Sequence, residues 1–158
     1  MVEGALGKVV HESEYHFAPK LLGVDVARYG SNQTVLMGRQ GLAGFEAEKY
    51  RGVDTMFTAG RVAHLLRSEG YRLAFVDDTG VGGGVTDRLR QLGLGDKVVA
   101  VTAGSRATED EKYFNKRAEM WGLLRDWLKD GGCLPRDWQL RDDLVGPEYA
   151  FDGKGRLV

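Results

Sequence analysis

Residues 21–27 (LLGVDVA) put an aspartate inside an otherwise apolar strand, and that residue constrains the fold more than any other. Side chains alternate along a strand, so Leu22, Val24 and Val26 share one face while Leu21, Gly23 and Asp25 share the other. Aspartate is depleted in strand interiors and an unpaired buried charge is costly. Asp25 is therefore hard to explain as a cap or a turn residue.

The elements that follow decide what stands beside it. Residues 28–33 (RYGSNQ) are turn chemistry, and 34–38 and 44–51 read as two further strands joined by a glycine-containing hairpin. Asp54 suits the N-cap of a helix over 55–68, with Met56, Ala59, Ala63 and Leu66 as its apolar stripe and Gly70 as its stop. A short apolar strand over 72–76 leads into Asp77, a glycine-rich loop over 78–84 and a helix to Leu92. Residues 97–101 form the next strand, 105–112 a polar loop, and 115–128 a helix with Ala118, Trp121, Leu124 and Leu128 facing the core. An Asp152–Gly153 turn between 149–151 and 156–158 predicts a C-terminal β-hairpin. Three meandering strands followed by alternating helices and strands predict an α/β fold, a mixed sheet with helices on both faces. Residues 1–19 show no sustained period and read as a lead-in or linker, leaving 20–158 as the folded domain.

Composition narrows the partners. The 158 residues carry 22 Lys and Arg against 23 Asp and Glu, a formal net charge of −1. That balance argues against an indiscriminate basic nucleic-acid binder and leaves room for a local basic patch. No apolar run approaches the roughly 18–20 residues needed to span a bilayer, and the N-terminus has no signal-like pattern, so a cytosolic location is expected. Cys133 has no partner for a disulfide, and one cysteine with three histidines cannot build a cysteine-rich zinc site.

In a sheet built in this order the first and fourth strands can be neighbours, which would let Asp25 and Asp77 converge. Paired carboxylates on adjacent strands form a hard-oxygen site for Mg²⁺ or Mn²⁺. Two such ions, roughly 3.5–4 Å apart, can activate a water and stabilise a leaving oxygen in phosphodiester hydrolysis. The glycines at 80–84 fit a dinucleotide fingerprint poorly, because Val85 occupies the third small-residue position and no acid follows at the required distance. The chain also lacks GxxxxGK[ST], so a tight turn is the better account of this loop than a nucleotide site. His11, His16 and His64 have no spacing suited to a metal or a base, and Trp121 and Trp127 read as core. Arg28, Arg106, Lys112, Lys116 and Arg117 are candidates for a phosphate-binding track.

Three segments, 22–35 (LGVDVARYGSNQTV), 75–89 (FVDDTGVGGGVTDRL) and 113–128 (YFNKRAEMWGLLRDWL), together resemble the nuclease domain of the large terminase subunit of tailed bacteriophages. The resemblance covers roughly residues 20–158 and implies a ribonuclease H-like fold. It also implies a metal-dependent endonuclease that cuts concatemeric double-stranded viral DNA in the host-cell cytoplasm. The partners it implies are the terminase ATPase domain, the portal and the small terminase subunit. By that resemblance Asp25 and Asp77 are the first and second metal-binding acids, with Asp78 the poorer ligand. Tyr113, Asn115, Lys116 and Arg117 match a Y-x-N-K-R segment on the DNA-facing side, although Asn115 serves equally well as a helix N-cap. The family's third acid lies in a segment resembling S-P-D-x-A-D-A beyond the hairpin, which these 158 residues do not contain. Asp143 is the first substitute to consider. Two other readings stand beside the nuclease: a catalytically inert module that docks on DNA or the motor, and a nucleotide-binding α/β domain using 80–84.

Overall fold

Alternation in the first strand organises the molecule. A computed structural model describes residues 1–27 and 32–158. Its strands are β1 (Lys20–Asp25), β2 (Gln33–Gln40), β3 (Ala43–Gly44), β4 (Glu48–Arg51), β5 (Leu73–Asp77) and β6 (Val98–Val101). Its helices are α1 (Val2–Ala5), α2 (Thr55–Ser68), α3 (Gly82–Gln91), α4 (Lys116–Lys129) and α5 (Trp138–Val145). The six strands form one mixed sheet in the order β3-β2-β1-β5-β6, with β4 also paired to β2. β1 runs antiparallel to β2 and parallel to β5, and β5 runs parallel to β6. The first and fourth predicted strands are thus neighbours.

Leu22 and Val24 of β1, Leu36 of β2 and Ala74 and Val76 of β5 are buried against α2 and α3 through Ala59, Val62, Leu66, Val85 and Leu89. Each fully buried branched side chain contributes about 1.5–3 kcal/mol. The opposite face is covered by α4 and α5, where Met37 packs with Leu124, Trp127, Leu140 and Leu144. Val2, Ala5 and Leu6 join that second core, and Leu6 bridges Leu134. The mixed sheet with helices on both faces is therefore observed.

Local signals set most boundaries. The Asp54 carboxylate accepts the Phe57 N–H at 2.7 Å and starts α2, which spans the predicted residues, and Gly70 beyond its end has φ +75°. The C-terminal hairpin closes through the Phe151–Leu157 bridge and the Asp152 N–H to Arg156 carbonyl bond of 2.9 Å.

Several details differ from expectation. Asp25 ends β1 instead of lying within it. The predicted strand over 44–51 is broken: Gly44 ends β3 paired to Arg39, and its N–H donates to the Cys133 carbonyl at 2.8 Å on the other edge. Residues 45–47 then stand opposite only Met37 and Gly38, a bulge, before β4 rejoins β2. Met56 is exposed because the buried stripe of α2 begins at Thr58 and Ala59. Trp121 is exposed because α4 buries Ala118, Gly122 and Leu128, and Gly122 leaves room for the Tyr113 ring, which any Cβ there would meet at 2.4 Å. α5 lies outside the predicted elements: only Leu140 and Leu144 bind it to the core.

Candidate metal centre

Gly23 pairs with Phe75 and Val24 with Val76 across β1 and β5, and the next residue on each strand is an aspartate. Asp25 and Asp77 therefore stand side by side at the C-terminal ends of adjacent parallel strands, the usual ligand position in open α/β sheets. By strand alternation both project on the face of Leu21, Gly23 and Phe75, away from the α2–α3 core. These three residues line an apolar cleft of about 480 Å³ closed on its far side by Leu124, Trp127 and Leu144. The acids follow at its end.

Burial raises the Asp25 carboxyl above the ordinary carboxylate range, and the negative charge of Asp77 raises it further. A divalent cation between the two carboxylates would relieve the raised Asp25, and their hard oxygens suit Mg²⁺ or Mn²⁺. Asp77 is held from below: its Oδ1 accepts the Thr79 N–H at 2.9 Å, and the Asp78 N–H bonds the Val101 carbonyl at 2.9 Å.

The glycine loop has a packing role. A Cβ at Gly82 would lie 1.6 Å from the Asp77 carbonyl oxygen, so the start of α3 can press against the end of β5 only with glycine there. Gly82→Ala is expected to cost about 3 kcal/mol by overpacking, read as a lower urea midpoint; an unchanged midpoint would show that the loop relaxes freely. Asp78 is directed elsewhere, since its Oδ1 would contact a Cβ at Gly83 at 3.3 Å.

The remaining candidates lie on other elements. Asp143 is exposed on α5. Among the described residues no group of three or more His, Cys, Asp or Glu side chains is placed to hold a metal ion, so the structure does not bring Asp143 to Asp25 and Asp77. Arg28 lies outside the described residues. Arg117 is exposed in the first turn of α4, whose opening is fastened to the segment after β6. The Lys116 N–H donates to the Ser105 carbonyl at 2.8 Å, the Arg117 N–H to the Ala103 carbonyl at 2.9 Å and the Ala118 N–H to Asn115 Oδ1 at 3.0 Å. Asn115 is thus a helix N-cap, and these bonds satisfy N–H groups that a helix start leaves open. Tyr113 is buried with Ala107 and Ala118.

Lys116, expected to face DNA, has its ammonium bound by Glu119 at 2.5 Å and by the Thr108 hydroxyl at 2.8 Å. Glu119 is only 4% exposed, and its Oε2 accepts the Glu109 N–H at 2.8 Å. That backbone bond, the Lys116 ammonium and the Thr108 N–H hold its carboxyl at about 2. Sequence reasoning passes over Glu119; the only signal is its three-residue spacing from Lys116.

No protein-family model matches the chain, and no curated protein matches it. Solved structures do match. The nuclease domain of the large terminase subunit gp2 of bacterial virus Sf6 superposes with TM-score 0.75 at 16% identity over 99% of this chain and 84% of that one. The large terminase nuclease from thermophilic phage G20c with bound magnesium superposes with TM-score 0.58 at 20% identity over 90% and 71%. A manganese-containing structure of a K428A mutant of the Sf6 domain gives TM-score 0.69 at 17% identity over 89% and 76%. The chain has the ribonuclease H-like fold of the nuclease domains of phage large terminase subunits.

Proposed function

We propose that this chain is a metal-dependent endonuclease domain of a viral DNA-packaging terminase, hydrolysing phosphodiester bonds of double-stranded DNA. The observation that carries this reading is the placement of Asp25 and Asp77 on adjacent strand ends, with the Asp25 carboxyl raised by burial and then by its neighbour. The neighbouring folds solved with magnesium and manganese support it. Asp25 and Asp77 would hold Mg²⁺ or Mn²⁺. When bound, such ions supply a more acidic water and charge stabilisation for a leaving oxygen. The residues of the chain do the rest: Thr79 and the packing of Gly82 fix Asp77, while Arg117, exposed in the first turn of α4, meets backbone phosphate. In this reading the domain works with the terminase ATPase domain, the portal and the small terminase subunit in the host-cell cytoplasm.

The test combines Mn²⁺ calorimetry, plasmid nicking and duplex binding across a salt series. Expected are Mn²⁺ binding, Mn²⁺-dependent nicking, no ATP binding, and a duplex affinity that falls steeply with salt and tolerates any sequence, since each neutralised phosphate releases counterions. Metal and DNA binding without nicking would replace the nuclease with an inert docking module, and ATP binding without metal binding would favour the nucleotide reading.

A further inference from the structure

On the far side of the sheet from the carboxylates, α2 and α3 border an open cleft of about 390 Å³. Its floor is small, formed by Gly60 and Ala63, and its walls carry His64, Arg67 and Ser68 from α2 and Arg88 from α3. Arg67 Nη2 donates to the Leu92 carbonyl at 2.9 Å, and Arg88 Nη1 donates to Gln91 Oε1 at 3.3 Å. Each guanidinium is thus oriented by one bond and keeps most of its five N–H donors.

The acids nearby are engaged elsewhere. Glu48 is bound by Arg61 and Asp87 pairs with Arg90 at 3.3 Å, while Glu69 Oε1 lies 3.9 Å from His64 Nε2. Among the described residues, no carboxylate lies within 4.0 Å of Arg67 or Arg88. Two guanidinium groups from different helices that share a cleft without an acid repel each other, and a bound anion removes that cost. Guanidinium forks match the geometry of phosphate oxygens, and the Ser68 hydroxyl beside them adds a further donor.

We infer that the α2–α3 cleft is a phosphate-binding site separate from the Asp25–Asp77 pair. Its ligand carries a phosphate group, supplied either by the DNA backbone or by a small free phosphate compound. The inference stands apart from the metal-centre reading, because the cleft needs no metal.

The experiment measures binding of a duplex of about 20 base pairs and of pyrophosphate, both in EDTA, with Mn²⁺ calorimetry run separately. Arg67→Gln with Arg88→Gln removes the charges. Gly60→Leu fills the floor with charge unchanged, since nothing lies within 4 Å of a Cβ there, and Arg136→Gln is a single-charge control on another surface. Both cleft variants are expected to weaken pyrophosphate binding at least tenfold, with Arg136→Gln within twofold of the parent. If the source is DNA, the double variant also weakens duplex binding about tenfold and lowers the salt slope by about 2, one for each phosphate that is no longer neutralised. Loss of pyrophosphate binding with duplex affinity and slope intact assigns the cleft to a free phosphate compound. The inference is overturned if pyrophosphate binding is absent from the parent chain, survives in the cleft variants, or falls equally in Arg136→Gln. Mn²⁺ affinity is expected to be the same in all four proteins, so absence of Mn²⁺ binding would count against the metal centre alone.

Discussion

Asp77→Asn is expected to weaken Mn²⁺ binding by more than about 100-fold while the chain stays folded. Loss of a partner outside the ligand shell costs roughly 10–100-fold in affinity, and here one of two charged ligands is removed outright. The fold should tolerate the change because an amide oxygen can still accept the Thr79 N–H that Asp77 Oδ1 receives at 2.9 Å. Stability of the metal-free protein should rise slightly. Asp25 titrates above its ordinary value in the folded state, so its ionisation opposes folding at any pH above that raised value and not at low pH. Removing the neighbouring charge relieves the smaller part of this opposition, and because Asp25 is only half-buried and open to solvent on one side, screening keeps the gain below about 1 kcal/mol at pH 7. Thermal melting with and without Mn²⁺ checks both effects together: the metal should raise the Tm of the parent and leave that of the variant unmoved. An Asp77→Asn protein that still titrates Mn²⁺ with parental affinity would remove Asp77 from the site.

The pairing that underlies this prediction can be read from the chain because it rests on short-range rules. Leu22 and Val24 on one face of β1 dictate that Asp25 lies on the other, and the order of elements places β5 beside β1. The limits of α2 are equally accessible, since Asp54 and Gly70 act within a turn of its ends. What cannot be read depends on interactions between distant segments. α5 has too few apolar residues to announce a helix and is held by Leu140 and Leu144 against α4 and by Asp137 to Lys49 at 2.5 Å. The break at 45–47 follows β3, whose outer edge bonds Cys133, a residue far along the chain. Met56 and Trp121 have correct helical spacing, but which rows of a helix are covered depends on the width of what packs against it. The Arg67–Arg88 cleft is invisible in sequence for the same reason, its two cations belonging to different helices.

Glu119 is the clearest case of a residue whose importance is tertiary, and Glu119→Ala is expected to be among the most destabilising changes in the chain. Its carboxylate gathers the Glu109 N–H, the Thr108 N–H and the Lys116 ammonium, joining α4 to the segment that leaves β6 next to Asp77. Truncation leaves two backbone donors without their acceptor and the Lys116 ammonium with only the Thr108 hydroxyl, a loss of about 2–4 kcal/mol. For a chain of this size that corresponds to a fall in Tm of roughly 5–12 °C. The pH dependence has a definite sign. The folded-state value of about 2 lies below the ordinary 4.5, so the stabilisation is fully present above pH 4.5 and is lost as pH falls from there toward 2. The parent should therefore lose Tm across that window more steeply than Glu119→Ala, and the two curves should converge near pH 2. Glu119→Gln retains an acceptor for the backbone N–H groups but leaves the Lys116 charge unneutralised, which places its Tm between the other two. Parallel Tm curves for parent and Glu119→Ala over pH 2–7 would mean that solvent replaces the carboxylate without loss and that the 102–112 segment is held by its backbone bonds to Lys116 and Arg117 alone.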